Sequence, residues 1–156
     1  MLKEKIQNDL TEAVKKRDET ISSTLRMLLA AIADKEKKKK YKEKSEELKL
    51  TEEEVIEVIS SEAKKRKEAI SEYEKGGRND LVEKERAELE VLEKYLPEQL
   101  SEEEIKKIAK EIIEKVEASS IKDMGKVMAE MMARVKGKAD GSAVNKIVKE
   151  LLSKVE

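Results

Sequence analysis

The apolar positions of this chain recur at helical intervals from one end to the other. Leu2, Ile6, Leu10, Ala13 and Val14 share one face of a segment running roughly from Leu2 to Lys16. A second segment begins near Thr20 and carries Ile21, Leu25, Leu28, Leu29 and Ile32, the spacing of a buried stripe. Its periodicity stops in the lysine-rich stretch KEKKKKYKEK, so its end is not set by pattern. A third helix is expected to run to about Lys75, and a fourth carries Leu81, Leu89, Leu92 and Leu96. Three more follow, the last with Val144, Ile147, Val148, Leu151 and Leu152 on its apolar side. Alternating, β-branched runs are scarce, and the predicted class is all-α.

Local signals place the boundaries. TEEE from Thr51 forms a capping box, in which the hydroxyl accepts an amide of the first turn and Glu54 reaches back. Ser101 with Glu104 repeats it, and Asp80 with Glu83 and Ser120 with Asp123 are expected to act in the same way. Asp140 or Ser142 is expected to cap the seventh helix. Gly76-Gly77 stops the third. Pro97 is the only proline; it cannot sit inside a helix and disfavours helix at Leu96. A break there gives an N-terminal unit of about four helices at 1–96 and a C-terminal three-helix unit at 97–156.

Composition narrows the chemistry. Charged residues make up 46% of the chain, against about 25% in an average domain, yet 38% are hydrophobic. That combination, with helical spacing, describes a folded protein with a charged surface. No Cys is present, so no disulfide, thiolate metal site or cysteine nucleophile exists. No His is present, which removes Ser-His-Asp chemistry and histidine metal ligation. Carboxylates are spread along every helix, and their spacing selects no acid–base pair. No metal and no cofactor is expected. No apolar stretch approaches the length of a membrane span, and MLKEKIQNDL lacks a signal-peptide core, so a cytoplasmic protein without membrane contact is expected. The high Lys and Glu content also fits a thermophilic source.

Net charge is −1, so the distribution of charge is more informative than its sum. Lys35 to Lys44 holds seven Lys against two Glu, and Ser119 to Lys149 holds seven basic against three acidic residues. The lysine run Lys37 to Lys40 reads first as a solvated tail or helix end and otherwise as a nonspecific phosphate contact. Arg26, among core positions, reads first as one half of a buried or interface ion pair and otherwise as the border of a binding cleft, and the charges around Arg66 and Arg78 read as surface pairing along a helix. Near the C-terminus, Gly125, Ala129 and Ala133 make a small-residue stripe beside Met124, Met128, Met131 and Val135, all expected to lie in the core. The stripe implies close helix packing at Gly125. The loop VKGKADGS offers Arg134, Lys136 and Lys138, and the following helix start offers free amides near Gly141 to Val144 to a phosphate. Lys126, Asn145 and Lys146 extend this candidate RNA-binding surface if the two helices pair. The aromatics Tyr41, Tyr73 and Tyr95 lie elsewhere, which favours RNA backbone or shape over base stacking at that loop.

Three stretches carry a resemblance to a known family: STLRMLLAAI from Ser23, the run from Glu62 to Ile105 that includes EYEKGGRNDL and EKYLPEQL, and DMGKVMAEMMARVKGKADGSAVNKIVKELL from Asp123. In this order they resemble the YqeY family. That family shares its fold with the tail domain of the B subunit of the tRNA-dependent aspartyl/glutamyl amidotransferase. The resemblance implies a noncatalytic accessory module that holds tRNA through its C-terminal unit. The alternative reading is a protein-interaction module docking an amidotransferase or aminoacyl-tRNA synthetase subunit through the Met/Ala/Gly face. Family labels add a carbon-nitrogen ligase activity with glutamine as amido donor. The residues supply no Cys-His pair or phosphate-cradling glycine motif for such an activity.

Overall fold

The computed structural model describes residues 1–155, and among these the fold is all-α. The helices are α1 (Leu2–Lys15), α2 (Glu19–Glu43), α3 (Glu52–Lys75), α4 (Asn79–Glu93), α5 (Glu102–Lys115), α6 (Met124–Val135) and α7 (Gly141–Val155). A short 3-10 turn, Ile121–Asp123, precedes α6. Contacts gather into two compact units, Met1–Leu96 and Pro97–Glu156.

In the first unit α3 and α4 form a hairpin, and α1 and α2 pack onto it. Ile6, Leu25, Leu28, Ile32, Ile59 and Leu92 are fully buried at its centre. Leu50, in the loop before α3, joins them. Val14, expected on the apolar face of α1, is instead 47% exposed. It lies one position beyond Ala13, outside the arc that meets the core. In the second unit α5, α6 and α7 pack on one another around Ile105, Ala109, Ile112, Val127, Met131, Val144, Val148 and Leu152.

The capping boxes at Thr51 and Ser101 form as expected. Each hydroxyl accepts the amide three residues on at 3.2 Å, and each glutamate accepts the cap amide at 2.7 Å. Ser120 and Asp123 also form a box, but around the 3-10 turn, and α6 starts only after it. Asp80 does not cap α4. Its carboxylate pairs with Arg78 at 3.2 Å, and that arginine is itself the N-cap residue. α2 is capped by Asp18, which accepts the Ile21 amide at 3.0 Å. α1, α3 and α5 end in the same closure. The amide after a left-handed residue bonds back across the last turn: Asp18 to Ala13, Arg78 to Tyr73 and Ala118 to Ile113, at 2.9–3.0 Å. Gly77, with φ 68°, fills the left-handed place after α3 at no steric cost. Arg17 and Glu117 fill it elsewhere.

Arg66 is the principal charged group inside the first unit, with only 5% of its surface exposed. Its guanidinium donates to the Glu62 carboxylate and carbonyl, both at 3.1 Å, and its Nε lies 3.7 Å from the Glu88 carboxylate. Glu62 and Glu88 are themselves buried. Lys65 holds the other Glu62 oxygen at 2.9 Å. Partial burial beside Glu88 pushes the nearby Glu85 carboxyl up. The segment expected to pair on a helix surface therefore carries a buried charge cluster joining α3 to α4. Arg26 has the converse fate: its side chain is exposed on α2, and the ion pair expected for it does not form among the described residues. Its position falls one step off the stripe that Leu25 and Leu28 bury.

Candidate nucleic-acid interface

The basic loop of the second unit begins where α6 ends, and its backbone is tightly determined. Gly137 adopts φ 77°, a left-handed conformation in which a side chain is strained. The Lys138 amide donates to the Val135 carbonyl at 2.8 Å, closing the turn. The start of the same unit then pins the loop twice. The Leu100 amide donates to the Lys138 carbonyl at 2.8 Å, and the Gln99 side-chain amide donates to the Gly137 carbonyl at 2.9 Å. The cations are thus presented on a backbone braced by residues next to Pro97. Gln99 and Leu100 were not legible as part of the site, because no local pattern joins residues this far apart.

Lys126, Arg134, Lys136, Lys138, Asn145 and Lys146 are all exposed. Arg134, Lys136 and Lys138 are contiguous along the end of α6 and its loop. Lys126 lies two turns back on α6, about 12 Å along its axis. Asn145 and Lys146 lie one turn into α7, which packs against α6. Acids temper the surface: Arg134 reaches Glu111 at 3.0 Å, both about half exposed, and Lys115 reaches Glu130 at 3.6 Å. Such exposed pairs contribute little to stability, about 0–1 kcal/mol.

The start of α7 differs from its expected role as a phosphate cradle. The Asp140 carboxylate accepts the Ser142 amide at 3.1 Å, and the Asp140 carbonyl accepts the Val144 amide at 3.1 Å. A carboxylate therefore already occupies the helix N-terminus and repels a second anion there. The Ser142 and Val144 amides are thus already engaged, and the exposed cations of this region are side chains of α6, its loop and α7.

The small-residue stripe also differs from expectation. Gly125, Ala129 and Ala133 face solvent, while Met131 and Val135 are buried and Met124 and Met128 are half-buried. The apolar arc of α6 is satisfied by Val127, Met131 and Val135, which leaves the Gly/Ala arc outside. On α6, Met131 therefore builds the core, with Met124 and Met128 at its edge. A Cβ placed on Gly125 meets nothing within 4 Å. Packing within the chain gives no reason for glycine there. Gly125→Ala should raise the unfolding free energy by about 0.4–1 kcal/mol, read as a higher urea midpoint. An unchanged or lower midpoint would show a structural need for glycine that the geometry lacks.

No helix among the described residues is long and apolar enough to cross a membrane. Comparison with known proteins gives one family and several relatives. The model of the family described as Yqey-like protein matches residues 3–152. The protein named "Altered inheritance of mitochondria protein 41, mitochondrial" of Pyrenophora tritici-repentis is 30% identical over 151 residues, covering 95% of this chain and 79% of that one. An uncharacterised protein of Schizosaccharomyces pombe is 34% identical over 96 residues, covering 62% of this chain and 72% of its own length. The Eremothecium gossypii protein bearing the same mitochondrial name is 32% identical over 91 residues, 58% of this chain and 46% of that one. These names overturn the expectation of a cytoplasmic location. That expectation rested on the lack of a secretory-type apolar segment. The criterion does not separate the cytosol from an organelle whose targeting segments are amphipathic.

Proposed function

The chain belongs to the family described as Yqey-like protein, and on that premise we propose that it is a noncatalytic RNA-binding accessory module that holds tRNA by its backbone. The observation that carries this reading is the loop of Arg134, Lys136 and Lys138, contiguous, exposed and braced by Gln99 and Leu100. Lysine and arginine on a fixed backbone suit phosphate, and the lack of any aromatic residue in the sequence from 97 to 156 suits recognition that ignores base identity. The exposed Gly125–Ala129–Ala133 arc supports the same reading, since small side chains let a bulky ribose-phosphate strand come near the cations of α6. Lys126, Asn145 and Lys146 widen the surface on both helices. Docking of a synthetase or amidotransferase subunit through methionines is not favoured, because those side chains are core or half-buried. A ligase activity has no residue to carry it in this surface.

The test is binding of bulk tRNA to the full chain at low salt, by fluorescence anisotropy. Wild type should bind, and Arg134→Glu, Lys136→Glu, Lys138→Glu together should weaken binding at least about tenfold while helicity and melting are kept. Equal binding by a folded variant would remove these residues from the interface.

A further inference from the structure

The far end of α2 does something the core does not require. Ile32 is its last fully buried residue, yet the helix continues to Glu43. One side of this extension is tied down. Lys35 reaches Glu57 at 2.7 Å, Lys39 reaches Glu54 at 2.8 Å, and Glu36 accepts Lys3 at 2.9 Å. Hydrogen bonding and charge from Lys39 hold the Glu54 carboxyl below its usual range. Lys38 pairs with Asp34 at 2.8 Å, exposed on both sides.

The remaining side carries a different set. Ala33, Lys37, Lys40, Tyr41 and Lys44 fall at helical intervals of i, i+4, i+7, i+8 and i+11, which place them along one stripe. Tyr41 is 89% exposed, the most exposed of the large apolar side chains. Lys37, Lys40, Lys42 and Lys44 enter no ion pair among the described residues. Lys44 closes the helix in a left-handed conformation, φ 53°, and the next two residues, Ser45 and Glu46, help line an open depression with Tyr41. Two carboxylates border it: Glu36, already held by Lys3, and Glu46.

We propose that this stripe is a second nucleic-acid contact, one that takes a single strand by stacking a base on Tyr41 and pairing its phosphates with Lys37, Lys40 and Lys44. An acidic protein segment would use the lysines and leave the exposed ring idle, and so would a duplex, whose bases are already stacked. A single strand uses both, because every base has a π-face and every linkage a charge. The buttressed opposite side explains how a helix with no buried residue past Ile32 stays ordered enough to present them. The site lies on the first unit and stands independently of the loop at Arg134 to Lys138.

The test uses the full chain and a labelled oligouridylate at low salt, with a duplex RNA of equal length and polyglutamate as comparison probes. Tyr41→Ala should weaken oligouridylate binding about tenfold, and Tyr41→Phe should retain it. Lys37→Gln, Lys40→Gln, Lys44→Gln together should weaken it further and flatten its salt dependence. The Arg134, Lys136 and Lys138 charge reversal should leave oligouridylate binding in place, and Tyr41→Ala should leave most tRNA binding in place. Equal binding by Tyr41→Ala overturns the proposal, as does equal affinity for the duplex or for polyglutamate. Loss of oligouridylate binding in the charge-reversal variant alone would transfer the single-strand contact to the second unit and also overturn it.

Discussion

Arg66→Met is expected to lower the unfolding free energy by about 3–5 kcal/mol. The cause is what remains behind. Glu62 and Glu88 are 8% and 7% exposed, and Arg66 joins them from between α3 and α4. Removing the guanidinium leaves Glu88 buried without its cation and Glu62 with only the outward-reaching Lys65. The loss should far exceed that from Arg78→Ala, whose ion pair with Asp80 is exposed on both sides. Replacing the whole cluster is a different experiment. Arg66→Met with Glu62→Gln and Glu88→Leu should recover most of the stability, because the buried charges go together. Urea titration of the three variants checks this. A cost below about 1 kcal/mol for Arg66→Met would show that water reaches the cluster, against the burial described.

The second large effect concerns the other unit. Leu152 on α7 is fully buried among Ile105, Val127, Met131 and Val148. Leu152→Ala should cost about 2–5 kcal/mol, from lost transfer energy and the cavity left behind. A unit of ~60 residues has only about 3–9 kcal/mol in total at ordinary stability per residue. The variant should therefore place that unit near or below its own folding threshold. All three tyrosines lie in the first unit, so their emission follows that unit alone, whereas circular dichroism follows both. The expected result is a helicity transition that splits, with the early part invisible to tyrosine. Tyrosine and helicity shifting together would show that the two units unfold as one.

The class of fold was legible because the information is local. A 3.6-residue apolar period needs no knowledge of partners, and capping boxes act within one turn, so Thr51 and Ser101 behave as their sequences suggest. Other helix ends were less legible. Arg17 and Glu117 take the left-handed position that Gly77 takes openly, and nothing in their chemistry announces it. The buried cluster was hidden for a different reason. Glu62 and Arg66 are one turn apart and look like a surface pair, and only the packing of α4 brings Glu88 over them. Gly125 was misread because a small residue in a helix has two meanings, close packing or open space, and the orientation of α6 decides between them. At the candidate site the cations of the loop were legible from charge alone. The bracing by Gln99 and Leu100 and the blocking of the α7 start by Asp140 were not, because both depend on tertiary placement.

The measurement that tests the central claim most directly is the affinity of wild-type protein for bulk tRNA across a salt series, paired with the charge-reversal variant. If the loop holds the RNA backbone, log K for wild type falls linearly with log salt. The variant, lacking up to three phosphate contacts, should show a slope shallower by up to about three. Affinity that does not change with salt, or an identical slope for a folded variant, would contradict the account.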